Sequence, residues 1–217
     1  MISEPPNSPL PVVRFARIGV ICDGQDALAS ALVECLKSVG LRVSPLRSAD
    51  LQSEPLTKKF DVVFLGLSWA RLQESGPELA DRLAGVVVVA CTTTISWDED
   101  GYLMVPIPDG SVTAMAARLL PESRVVGAFH QFSAGHLELA CLGAFESDVP
   151  VLGDDREATD LIEGIVDSIR GLESVYVGGL EVARAFEGLA AIVNEVARGR
   201  ERPVGFRLSE TGGIRFL

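Results

Sequence analysis

Residues 18–31, IGVICDGQDALASA, join a short β-branched run to a turn and then to the start of a helix rich in Ala and Leu. The chemistry suited to that shape is phosphate binding. The first turn of a helix offers unpaired backbone N–H groups and the positive end of its dipole to an anion. A dinucleotide fingerprint also needs glycines, for a tight turn, for close approach of the pyrophosphate and for packing of helix on strand. Here Gly24 is the glycine of the turn, with Asp23 and Asp26 placing negative charge beside it. Taken alone, the stretch reads first as an ordinary strand-to-helix turn, and second as a cofactor site with Gly24, Gln25 and Asp26 around the phosphates.

A second run, LRVSPLRS, ends in Arg47 and Ser48, a cation and a hydroxyl where a dinucleotide fold accepting a ribose phosphate would put them. A solvated arginine after a strand accounts for them equally well. The histidines, His130 and His136, flank one turn in AFHQFSAGH. Their spacing does not suit a helix-borne metal pair with a third ligand nearby, so no metal is expected; the edge of a polar pocket is favoured over metal binding, and a merely structural role is the alternative. Cys22, Cys35, Cys91 and Cys141 are widely spaced inside apolar runs and form no CxxC pair. They read as small buried hydrophobes.

These residues need a scaffold, and the pattern supplies an α/β one. Strand-like runs recur at 16–21, 41–46, 61–67, 85–91 and 124–129, several separated by helical spacing, which predicts βαβ units and a mostly parallel sheet. A helix is predicted from about Asp26 to Val39 with Gly40 as its cap. The segment 47–60 is short for a full helix plus a strand, so the fold looks trimmed after its second strand. WARLQESGPELADRL predicts a crossover helix broken or begun at Gly76 and Pro77, and residues 92–111 a long loop of functional type. Ser111, Ser133 and the acidic start of DDREATDLIEGIVDSIRG open further helices. DVPVLG and SVYVGG read as strands and PVGFRL as a terminal one. In LEVARAFEGLAAIVNEVARG, Val182, Phe186, Leu189, Ile192, Val193 and Val196 fall at intervals that predict one buried stripe.

The chain of 217 residues is 47% hydrophobic and has no apolar run of membrane-spanning length, so a membrane protein is not expected. Its formal net charge of −11 argues against a nucleic-acid partner. MISEPPNSPLPVV, residues 1–13, reads as a flexible lead-in rather than a targeting segment, which makes the cytoplasm the expected location.

With these pieces placed, the chain resembles the NADPH-dependent coenzyme F420 reductases, also called F420-dependent NADP oxidoreductases. The likeness is strongest from Val125 to Leu208, through VVGAFHQFSAGHLE, the GDD followed by Glu157 and Ala158, the GGLE near Arg184, GLAAIVNEVAR and the ending GFRL. The resemblance implies a Rossmann-like domain at 14–122 and a small C-terminal α/β domain on the deazaflavin side at 123–217. It implies a homodimer that transfers hydride between NADP(H) and coenzyme F420, small-molecule cofactors being its ligands. No catalytic acid or base is implied. Carried over by position, Arg47 and Ser48 match the region holding the ribose phosphate. Ser68 and Trp69 match a turn by the nicotinamide, Thr92 matches a threonine of the next loop, and His130 and Phe132 match positions along the deazaflavin, with contacts partly from backbone. The family's GGTGDxG stands here as CDGQDAL, with Cys22, Gln25 and Leu28 in place of glycines. Side chains there crowd the phosphates or reshape the turn. The alternative is a non-catalytic cofactor-binding or regulatory homologue that has lost the dinucleotide.

Overall fold

The segments VVFLG, VVVA and SDVPVL are buried at every residue, as strands covered on both faces must be. In a computed structural model the described residues are 11–22, 27–47, 55–98, 101–198, 200 and 203–208. A short helix α1 (Pro11–Phe15) leads into β1 (Arg17–Cys22), α2 (Ala27–Ser38), β2 (Arg42–Leu46) and β3 (Val62–Gly66). Helix α3 (Trp69–Leu83), β4 (Val87–Ala90), β5 (Ile95–Asp98), β6 (Gly101–Met104) and α4 (Val112–Leu119) follow. The chain continues through β7 (Arg124–Gly127), α5 (Ala134–Cys141), β8 (Ser147–Leu152), α6 (Arg156–Asp167), β9 (Leu172–Gly178) and α7 (Ala183–Arg198).

Seven strands form one sheet in the order β2-β1-β3-β4-β7-β8-β9, parallel except where β8 meets β7 antiparallel at Gly127 and Leu152. The mostly parallel α/β, Rossmann-like architecture is as expected. The sheet runs on across residues 122 and 123, between α4 and β7. Alternate side chains feed two cores. On one face Val20, Phe64, Val89 and Val126 meet α2, α5 and α6 through Leu36, Leu137 and Ile165. On the other, Ile21, Val63, Leu65 and Val88 meet α3 and α4 through Leu72, Leu79 and Met115.

Local signals hold at most element ends. Ser111 accepts the Ala114 N–H at 3.0 Å and Asp155 that of Ala158 at 2.9 Å, each capping its helix. Gly40, at φ +84°, ends α2 in the left-handed region that favours glycine. Between β2 and β3 the described residues hold only the 3-10 turn Leu56–Lys58, in keeping with the trimmed segment.

Five local expectations are corrected. Helix α3 runs unbroken through Pro77, because Leu72, Gly76, Leu79 and Leu83 form one buried stripe whose packing outweighs the lost N–H. The long loop after β4 contains an antiparallel hairpin, β5 with β6, whose strands pair from Ile95–Met104 to Asp98–Gly101. Residues 203–208 form no strand, although Asp148 donates its N–H to the Phe206 carbonyl at 2.7 Å. Residues 11–13, at the end of the expected lead-in, belong to α1, with Val13 buried. The fifth concerns α7, which buries Ala183, Glu187, Ala190 and Val193. Of the predicted stripe only Val193 is buried, while Ile192 is 61% and Val196 38% exposed. The small residues allow close approach to the rest of the molecule, and Glu187 finds hydrogen-bond donors there.

Candidate functional site

Strand β1 lies between β2 and β3, so the chain leaves it on one side and returns on the other. Such a reversal opens a crevice at the carboxyl ends of the strands, where doubly wound folds bind ligands. Register aligns those ends: Cys22 pairs with Gly66, Leu65 with Ala90, and Ala90 with Gly127. A Cβ on Gly66 would stand 2.5 Å from both the Ala29 Cβ and the Ile21 carbonyl oxygen. Glycine there lets the first turn of α2 close onto the ends of β1 and β3, which brings the helix N-terminus to the crevice.

The predicted positions distribute along this edge. Arg47 is exposed and follows β2, one residue past the Ile21–Leu46 pair. Ser68 is exposed and caps α3, accepting the Arg71 N–H at 3.3 Å, and Trp69 beside it packs on the α3–α4 core. Thr92 donates its hydroxyl to the Leu67 carbonyl at 2.7 Å, tying the loops that follow β3 and β4. Gly24, Gln25, Asp26 and Ser48 lie outside the described residues. Cys22, at a position where a glycine was expected, is half-buried, its thiol 3.5 Å from the Val20 carbonyl oxygen.

Beyond β7 the backbone turns sharply. Phe129 holds φ +64°, a left-handed conformation costly for a bulky side chain and sustained by its surroundings. Its ring is buried and meets Phe64 and Phe132 edge-on, at centroid distances of 6.1 and 5.5 Å. Phe132 also packs on His136 and Phe145, so its side chain belongs to the core, and its N–H donates to the Phe129 carbonyl at 3.0 Å. His136 closes the start of α5, where its Nδ1 accepts the Ser133 N–H at 2.9 Å. Burial pushes the His136 imidazole below its ordinary value. His130 is buried as well, and burial pushes its imidazole down to about 4.

His130 Nε2 lies 3.1 Å from the Thr113 hydroxyl. That hydroxyl and the Thr113 N–H both donate to Glu187 Oε1 at 2.9 Å, and the Val112 N–H donates to Oε2 at 2.9 Å. Glu187 is fully buried, and burial holds its carboxyl above the usual range against the opposing pull of these donors. A carboxylate at the N-terminus of α4 satisfies orphan N–H groups and complements the helix dipole. Thr113 and Glu187, which join His130 in this buried network, are not among the residues singled out from the sequence. The available signal was an acid at helical spacing between Ala183 and Ala190, on a face of small residues. A cavity of about 300 Å³ lies beside the same region, lined by Met104, Val105, Pro106, Ile107, Pro108, Gly110 and Arg184. Among the described residues no group of His, Cys, Asp and Glu is arranged to hold a metal ion.

No protein-family model matches the chain. Over 163 residues it is 29% identical to the F420-dependent NADP reductase of Methanocaldococcus jannaschii, covering 74% of this chain and 71% of that protein. Over 194 residues it is 26% identical to the F420-dependent NADP reductase of Methanothermobacter marburgensis, covering 86% and 84%. A solved structure from Arthrobacter sp. FB24, a candidate F420-dependent NADP reductase, superposes with a TM-score of 0.69 at 18% identity, covering 90% of this chain and all of that one. An imine reductase from Aspergillus terreus in complex with NADPH4 gives 0.56 at 12% identity, covering 86% and 63%. These two structures share the fold. In sequence the chain is similar to F420-dependent NADP reductases over most of its own length and of theirs, the family that the motifs after Val125 resemble.

Proposed function

We propose that the chain is an oxidoreductase transferring a hydride between NADP(H) and coenzyme F420. The observation that carries this reading is the similarity to F420-dependent NADP reductases over 74% to 86% of the chain. The fold is compatible with both groups: a crevice at the strand ends, a helix N-terminus closed onto it through Gly66, and an exposed cation at Arg47. The two cofactor rings supply the hydride chemistry, and the protein's part is to hold them in line and exclude water. Residues 14–122 hold the dinucleotide in this reading, with Gly24, Gln25 and Asp26 at the phosphates and Arg47 and Ser48 at the ribose phosphate. Ser68, Trp69 and Thr92 border the nicotinamide. Residues 123–217 serve the deazaflavin in this reading, with His130 and Phe132 along it through the backbone of their loop.

The proposal includes a homodimer in the cytoplasm. Support for the dimer comes from α7, whose Ile192 and Val196 are exposed, and from Leu103 of the adjoining hairpin, which is 55% exposed. Mixing the purified protein with NADPH and coenzyme F420 tests the reading through loss of the deazaflavin absorbance band. Turnover dependent on both cofactors supports it, and no turnover with each cofactor at saturating concentration overturns it.

A further inference from the structure

The buried chain of contacts from α7 through α4 to the loop after β7 has a direction. Thr113 has one hydroxyl proton, and it is donated to Glu187 Oε1 at 2.9 Å. What the hydroxyl has left for His130 Nε2, 3.1 Å away, is a lone pair. The imidazole must then be the donor, so its proton sits on Nε2 and Nδ1 is left as an acceptor. We infer that Glu187, acting through Thr113, is a positioning residue that fixes the tautomer and ring orientation of His130 and pins the loop after β7 to the N-terminus of α4.

Three observations converge on this role. Glu187 has no exposed surface, and a carboxylate is buried so completely only where donors repay its desolvation. Among the described residues its donors lie on the first two residues of α4, and one is the side chain that reaches His130. The loop being pinned contains Phe129 at φ +64°, a conformation that relaxes unless its neighbours hold it. Space is equally tight around the ring. A Cβ on Gly127 would come within 2.9 Å of His130 Cε1 and 3.0 Å of Thr113 Oγ1, so glycine at the end of β7 makes room for the contact.

The tautomer is independent of any cofactor and can be read in the protein alone. With two histidines in the chain, long-range proton–nitrogen correlation of ¹⁵N-histidine-labelled protein gives two ring patterns. His136, whose Nδ1 accepts the Ser133 N–H, is an internal reference for a ring protonated on Nε2. His130 is expected to show that neutral pattern, to keep it in Thr113→Ser, and to move toward an average of both tautomers in Thr113→Val and Glu187→Gln. A wild-type His130 protonated on Nδ1 or averaging between tautomers overturns the inference, as does an unchanged pattern in folded Thr113→Val. If Glu187→Gln does not fold, the two Thr113 variants decide the matter. The kinetic consequence rests on the function proposed above: Thr113→Val raises KM for coenzyme F420 about three- to tenfold, the loss of one hydrogen bond, with KM for NADPH unchanged and Thr113→Ser restoring it. A protein that shows the tautomer pattern without hydride transfer would overturn the proposed function and leave the positioning role standing.

Discussion

Acid should loosen this protein through His130, and replacing that residue by glutamine isolates the effect. In the unfolded chain the imidazole takes up a proton near pH 6.5, whereas burial in the fold pushes it down to about 4. Between those values the unfolded state binds more protons than the folded one, so stability falls as pH falls. The contribution is intact above pH 6.5 and fully lost below about pH 4. The whole span corresponds to about 3 kcal/mol, of which about 2 kcal/mol is lost between pH 7 and pH 5. These are upper values, because the Glu187 carboxylate, 3.9 Å from Nε2, would favour a proton there. Glu187 itself works in the opposite sense: its raised value makes the folded state the better proton acceptor over its own range. His136 adds to the trend in the same direction as His130. Both remain in His130→Gln, so the difference between the two proteins reports His130. Urea unfolding followed by circular dichroism at pH 7, 6 and 5 should give a stability gap that shifts in favour of the variant by ~1–2 kcal/mol toward acid. Parallel pH dependences in the two proteins would refute the burial argument.

Three further outcomes follow from single features of the fold. Gly66→Ala places a methyl 2.5 Å from Ala29 Cβ and from the Ile21 carbonyl, and overpacking of about 1–3 kcal/mol exceeds any gain from a stiffer unfolded chain, so Tm should drop by several degrees in a thermal melt. Arg47→Ala should raise KM for NADPH by about tenfold or more, as loss of a charge-assisted hydrogen bond does, with KM for coenzyme F420 unchanged; equal effects on both would remove Arg47 from the ribose-phosphate site. Ile192→Glu combined with Val196→Glu should convert a dimer to a monomer in sedimentation velocity, since both side chains are exposed on α7 and neither carries the core; a wild-type monomer would refute the dimer.

Much of the fold was legible because its determinants are local. Strands β3 and β4 are uninterrupted β-branched and apolar runs, and Ser111, Asp155 and Gly40 mark helix ends by chemistry that acts within a few residues. The carboxyl edge could be anticipated from the order of strands and helices, which is why Arg47, Ser68, Thr92 and His130 all follow strands that end there. Pro77 misled because its local penalty is visible in sequence, whereas the Leu72, Gly76, Leu79 and Leu83 stripe that outweighs it acts only once α4 is in place. The hairpin in residues 95–104 was hidden by the Asp and Gly of its turn, which read equally well as loop.

Helix α7 shows why the site itself was harder to see. Its hydrophobic periodicity favoured burial of Phe186, Leu189 and Ile192, yet the buried face carries Ala183, Glu187 and Ala190. Turning the helix to bury the apolar stripe would add about 1.5–3 kcal/mol at most for the exposed Ile192 and less for the half-buried Phe186 and Leu189. It would also withdraw Glu187 from the N–H groups of Val112 and Thr113 and from the Thr113 hydroxyl, leaving buried groups unpaired at about 1–3 kcal/mol each. The partners lie 74 and 75 residues apart, so no window of sequence contains the polar side of that balance. Within one chain the two demands conflict, and the polar one sets the orientation. A second copy laid across Ile192 and Val196 would meet both, covering the apolar stripe from outside while Glu187 keeps its hold on α4. The contact that positions His130 and the surface offered to a partner are then two faces of the same helix, fixed by a single rotation.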